Sequence, residues 1–253
     1  MDEKIEWLKC LYSPGYFARH VSIYNATVRK WIPFELWPAQ QEALAEIATH
    51  RYIVMLKARQ LGMSWLTLTY ALWMMLFHPA PNIMLMSKRD DESIELLTRL
   101  IQMYEYLPDW MKVRAVVQSS AHDFVLSNGS KAKAFPTSGG RSYTGTMVIL
   151  DEADFMPDLN KVLNAIRPTI DAGGQLVMIS TVDKGKPSGA RQRGLAAALQ
   201  RRLLDDQQLR EHRHHQHPGR QVLLQDQGQG SGRAQHVHAD ARRSVAQALR
   251  IQK

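Results

Sequence analysis

Apolar residues over the first three quarters of the chain fall into two rhythms. YIVMLKA (52–58), NIMLMS (82–87), MVILD (147–151) and GQLVMIST (174–181) are short, continuously apolar runs. Runs of that length without alternation predict strands buried on both faces. Between them lie WLTLTYALWMMLF (65–77), an amphipathic apolar stretch, and SIELLTRLIQMYEYL (93–107), apolar at three-to-four spacing. Both predict helices, and Asp90, Asp91 and Glu92 suit the first turn of the second. RAVVQ (114–118), DFVLS (123–127) and KAKAF (131–135) predict shorter strands, the last two joined at the turn signal Asn128-Gly129. Strands alternating with helices specify an α/β fold with a mostly parallel sheet flanked by helices.

The rhythm stops at Pro187. Residues 188–253 contain no Phe, Trp, Tyr, Met or Cys, and Arg, Gln, His, Ala and Leu dominate them. Runs such as EHRHHQHPGR (211–220) cannot bury enough apolar surface to offset the entropy of ordering. Three parts are therefore expected: a helical segment at 1–30, a globular domain at 31–187, and a non-globular tail at 188–253. The tail's composition is also what translation of a GC-rich gene in the wrong frame produces. Reading the other two frames after codon 187 tests that hypothesis, since a coherent acidic continuation should then appear. The histidine-rich run has no ordered metal-ligand spacing.

Charge changes the picture less than its sum suggests. The chain of 253 residues carries a formal +8, but residues 1–187 hold 20 Lys+Arg against 19 Asp+Glu. The tail supplies the excess, so net charge is no argument for nucleic acid binding by the folded part. The single cysteine, Cys10, excludes an intramolecular disulfide framework and reads as an ordinary half-buried thiol. No window approaches the roughly 20 apolar residues that span a bilayer. The acidic, amphipathic start MDEKIEWLKC is not a signal peptide.

Candidate chemistry sits at the ends of two predicted strands. KARQLGMS (57–64) lies between strand and helix, where phosphate loops carry G-x-x-x-x-G-K-[ST]. Gly62 stands where backbone must approach phosphates, Ser64 where a hydroxyl can ligate magnesium, and the following helix points its N-terminus at the anion. Met63 occupies the usual lysine position, leaving Lys57 and Arg59 to supply the cation. In MVILDEADF (147–155) an apolar strand delivers Asp151 and Glu152 to its C-terminal edge, 87 residues after Ser64. Asp151 suits a magnesium-orienting carboxylate, and Glu152 a general base for water.

These motifs resemble those of phage terminase large subunits. KARQLGMS looks like their variant Walker A, in which the lysine can move to the first position of the loop. MVILDEADF is similar to the Walker B and catalytic glutamate of the additional-strand ATPases, which include terminases and DEAD-type helicases. FELWPAQQEAL (34–44) resembles the adenine-recognition segment, and LVMIST (176–181) the coupling motif. The resemblance spans roughly residues 30–186 and implies a P-loop NTPase with an additional-strand, RecA-like core.

It further implies ATP and Mg²⁺ as cofactors. Gln40, or else Gln41, would read adenine. Lys57, Ala58, Arg59, Gln60, Leu61, Gly62, Met63 and Ser64 would hold the nucleotide, with Lys57 or Arg59 replacing the missing lysine. Ser64 and Asp151 would bind Mg²⁺, and Glu152 would be the catalytic base. Arg141, in the glycine-rich stretch before Walker B, would act as a finger on an adjacent subunit. Ser180 and Thr181 would couple hydrolysis to movement. Lys131 and Lys133, alternating on one strand, share a face that can meet DNA phosphates.

The implied partners are double-stranded DNA, a terminase small subunit, a portal and further copies in a ring, with no membrane, in the cytoplasm of a bacterial host. Nothing after residue 187 supplies a nuclease domain, so no nuclease activity is expected. Two other readings stand beside this one: a superfamily-2 helicase-like ATPase, and an inactive nucleotide-binding fragment, which Met63 favours and Asp151 with Glu152 opposes.

Overall fold

A computed structural model describes residues 2–136 and 143–181 of the chain. Its frame is a seven-stranded mixed sheet. The strands, in chain order, are β3 (Tyr52–Lys57), β4 (Asn82–Met86), β5 (Val116–Ser119), β6 (Asp123–Leu126), β7 (Lys131–Phe135), β8 (Met147–Leu150) and β9 (Gln175–Thr181). They lie side by side as β3-β9-β8-β4-β7-β6-β5. The first five run parallel, and β6 and β5 add an antiparallel edge.

Helices cover both faces because alternate strand residues point opposite ways. Ile83, Leu85, Ile149 and Val177 pack under α4 (Met63–Phe77) and α5 (Asp90–Glu105). Met84, Met86, Val148 and Met178 pack under α6 (Leu159–Asp171). The continuously apolar strands are thus buried on both sides, as their sequence requires. α4 differs from the amphipathic helix expected: every residue from Leu66 to Leu76 is buried. A helix apolar all round needs cover all round. α3 (Pro38–Thr49), α5, the sheet and the N-terminal segment supply it. The two buried threonines of α4 satisfy their hydroxyls on Met63 and Trp65 carbonyls one turn back.

The first 30 residues are helical only as far as His20. α1 (Glu3–Tyr12), α2 (Pro14–Phe17) and a 3₁₀ turn are followed by a hairpin of β1 (Ser22–Asn25) and β2 (Lys30–Pro33). Asn25 stops β1 by accepting the Thr27 and Val28 amides on its side chain, a local turn that competes with helix. Nor is the segment separate from the rest, since Cys10, Phe17 and Val21 belong to the main core. Cys10 is fully buried rather than half-buried, and burial pushes its thiol up to about 12.

α5 begins at Asp90, so the three acidic residues form its first turn. β5 lies two residues later than its expected start and is exposed along its whole length. The Asn128-Gly129 turn joins β6 to β7, with Gly129 at φ +84°. There Asn128 Nδ2 and Ser130 Oγ both donate to the Met75 carbonyl, at 2.9 and 2.8 Å. This asparagine-glycine-serine run clamps the hairpin to α4.

Candidate active site

Parallel pairing brings the C-terminal ends of β3, β9, β8 and β4 to one edge, where open α/β sheets bind ligands. In register, Lys57 lies opposite Thr181, Leu56 opposite Ser180 and Leu150 opposite Met178. Loop 58–62 then turns sharply into α4. Gln60 and Gly62 both take left-handed backbone, at φ +64° and +67°. At Gly62 a Cβ would stand 2.8 Å from Gln40 Nε2, so another residue would strain the backbone and displace that side chain.

Gln40 itself is 4% exposed. Its Oε1 accepts from the Trp37 amide at 3.0 Å and its Nε2 donates to the Leu61 carbonyl at 2.9 Å. The side chain expected to read adenine therefore braces the phosphate loop from behind. The fallback, Gln41, donates to the Leu36 carbonyl instead. Met63, at the usual lysine position, is partly buried and packs against the core. Ala58, Arg59 and Gln60 are exposed on the loop, and Leu61 is part-buried.

The two phosphate-side and acidic elements meet directly. Ser64 Oγ donates to Asp151 Oδ2 at 2.9 Å. Asp151 is 7% exposed, and burial raises its carboxyl above the usual range against the lowering pull of Ser64 and Lys57. Its Oδ1 accepts the Glu152 amide at 3.1 Å. Glu152 has left-handed backbone at φ +51°. Lys57 Nζ lies 3.6 Å from Glu152 Oε1, with only 9% of the lysine side chain exposed. Glu152 Oε2 accepts from Thr181 Oγ1 at 2.9 Å and from the Thr181 amide at 3.4 Å. Ser180 Oγ accepts the Asp154 amide at 3.1 Å, pinning the 3₁₀ turn that follows Glu152.

A cavity of about 380 Å³ opens over these groups. Lys57, Arg59, Ser64, Asp151, Glu152 and Thr181 line it together, as the sequence reading grouped them. Lys88, Glu92 and Arg99 line it too, and sequence reasoning missed them. The signal was available, because Ser87 and Lys88 follow a strand whose end must reach the same edge. A larger cavity of about 790 Å³ between α2 and α3 holds none of these groups.

For a metal, the fit is one of donor chemistry. Ser64 and Asp151 offer hard oxygen atoms side by side, and Mg²⁺ is commonly held by one or two protein oxygens plus phosphates and water. Among the described residues no cluster of three or more His, Cys, Asp or Glu side chains could cage a metal without a nucleotide. Arg141, and everything from residue 182 onward, including the tail, lies outside the described residues. Lys133 does not present a bare cation to DNA, since Asp123 pairs with it at 3.1 Å and Tyr143 lies beneath it. Lys131 is exposed.

One strand defines the class. β9 stands between the strand that opens the phosphate loop and the strand that ends in the acidic pair. That arrangement, with a Ser64–Asp151 contact across it, is the additional-strand form of the P-loop, RecA-like fold. The sequence profile of the family described as "Terminase large subunit, T4likevirus-type, N-terminal" matches residues 54–190, over half of the chain. The chain belongs to the terminase large subunit family.

Solved structures agree at the level of fold. The large terminase of bacteriophage HK97 superposes with a TM-score of 0.57 at 15% identity, over 76% of this chain and 42% of that one. A variant of the ATPase domain of the Thermus phage P74-26 large terminase gives 0.51 at 19% identity, over 61% of this chain and 68% of that one. The chain therefore spans less than half the length of the HK97 protein.

Proposed function

We propose that this chain is the ATP-hydrolysing motor domain of a DNA-packaging terminase, with Mg²⁺ as the required ion. The observation that carries the reading is the joined site: Ser64 on Asp151 at 2.9 Å, with Glu152 next in sequence and Lys57 3.6 Å from its carboxylate. Backbone amides at the start of α4, with Lys57 and Arg59, bind the phosphates. Lys57 is the cation seated among the catalytic groups, whereas Arg59 stands on the exposed rim of the loop. Ser64 and Asp151 would hold Mg²⁺, which when bound neutralises charge on the phosphate oxygens. Glu152 accepts the proton of the attacking water as general base. Gln40 fixes the loop through the Leu61 carbonyl. Ser180 and Thr181, gripping the acidic turn, are the coupling element.

Hydrolysis here would drive translocation of double-stranded DNA into a procapsid, in the cytoplasm of the host. The small subunit, the portal and neighbouring copies in a ring are the partners this requires, with Arg141 reaching a neighbour's nucleotide. No nuclease activity is expected of the chain, and metal-dependent DNA cutting by it would overturn that. The decisive measurement is steady-state ATP hydrolysis with Mg²⁺ beside Glu152→Gln. The variant should lose at least about a hundredfold in kcat, the usual contribution of a general base. Equal rates would sink the catalytic assignment and favour an inactive nucleotide-binding fragment.

A further inference from the structure

Both oxygens of the Glu152 carboxylate have partners, and they come from two different strands. Lys57 faces Oε1, while Oε2 takes two bonds from a single residue, Thr181. Thr181 is 4% exposed and ends the strand inserted between β3 and β8, where it is paired on the β3 side opposite Lys57. Glu152, in contrast, starts from left-handed backbone, a conformation unfavourable for a residue with a Cβ, which persists only where its surroundings over-determine it. Its side chain has three rotatable bonds and is part-exposed. A base on so mobile a stem keeps its aim only if one oxygen is tied down.

We infer that Thr181 is a positioning residue for Glu152, fixing Oε2 through its hydroxyl and amide so that Oε1 alone is presented to the reacting water. This rests on the reading of Glu152 as the general base, and it assigns the hydroxyl at the end of β9 a part in the chemistry itself. Ser180 serves the neighbouring turn instead, through the Asp154 amide. The division predicts that the two hydroxyls are not interchangeable.

The test uses the full 253-residue chain and two readouts. In urea unfolding without nucleotide, Thr181→Val and Glu152→Ala form a double-mutant cycle. The two changes should be non-additive by about threefold or more in the unfolding equilibrium constant. Additive effects overturn the contact and with it the inference. In ATP hydrolysis, Thr181→Val should lower kcat roughly ten- to a hundredfold, the effect of a small misplacement of a catalytic group. KM for ATP should stay within about twofold, and Thr181→Ser should restore most of the rate. If Thr181→Val does not fold, Thr181→Ala against Thr181→Ser makes the same comparison. A Thr181→Val enzyme as fast as wild type, beside an inactive Glu152→Gln, overturns this inference and leaves the base assignment standing. A fully active Glu152→Gln removes the base assignment, and the role given to Thr181 falls with it.

Discussion

Asp151 is buried against its own interest as an anion. Burial raises its carboxyl, so ionising it costs the folded state more than the unfolded one. The penalty is complete above the raised folded range and disappears below that of an unfolded aspartate, about 4. Asp151→Asn should therefore melt higher than the wild type at neutral pH without metal, with a gap that closes as the pH falls through that window. A gap that widened on acidification would contradict the assignment. MgATP should stabilise the wild type and barely move the variant. Cys10 supplies a second residue-scale check: buried, with its thiol pushed up to about 12, it should react with an aromatic disulfide reagent only after unfolding. Asp151 and Glu152 were legible in the sequence because an apolar run places two adjacent carboxylates at a strand end. The bury-or-expose state of Cys10 and Gln40 was not, since each depends on partners remote in the chain.

Among the elements, the phosphate loop is the most constrained. Gly62→Ala would force a Cβ into left-handed backbone, at a cost of about 1–2 kcal/mol, and into Gln40 Nε2 at 2.8 Å. Gln40 cannot swing aside without losing the Leu61 carbonyl, so the variant should lose stability in urea and raise KM for ATP. Unchanged values for both would remove the bracing role. The motif match located this loop correctly, although Met63 and Lys57 depart from the usual pattern. Helices fared less evenly. α5 was visible from its three-to-four spacing, whereas α6, capped by the Asp158 side chain, was not predicted; Pro168 within it speaks against helix in any local reading. The β1–β2 hairpin was missed for a similar reason, as its turn is set by the Asn25 side chain and not by a glycine. The Asn128-Gly129 turn signal was legible, whereas the bonds of Asn128 and Ser130 to the Met75 carbonyl depend on a helix remote in sequence.

On the scale of the whole molecule, the α/β class and the parallel character of the sheet could be read from its apolar strands. Their order could not, because nothing local says that β9 enters between β3 and β8. That insertion also sets a clock. Among the described residues β3 has β9 as its one strand neighbour, and more than a hundred residues separate the two in sequence. As the chain leaves the ribosome, the phosphate loop is made early but has no strand to lean on until Thr181 has emerged. Pairings of such separation form slowly, since the loop they close must first be ordered. The acidic pair follows β8, which pairs with β4 on one side and β9 on the other. A nascent chain stopped before Gln175 should show no nucleotide-dependent protection from protease, and one released after Thr181 should gain it. On the proposed function, nucleotide can be held at this edge only once β9 is in place.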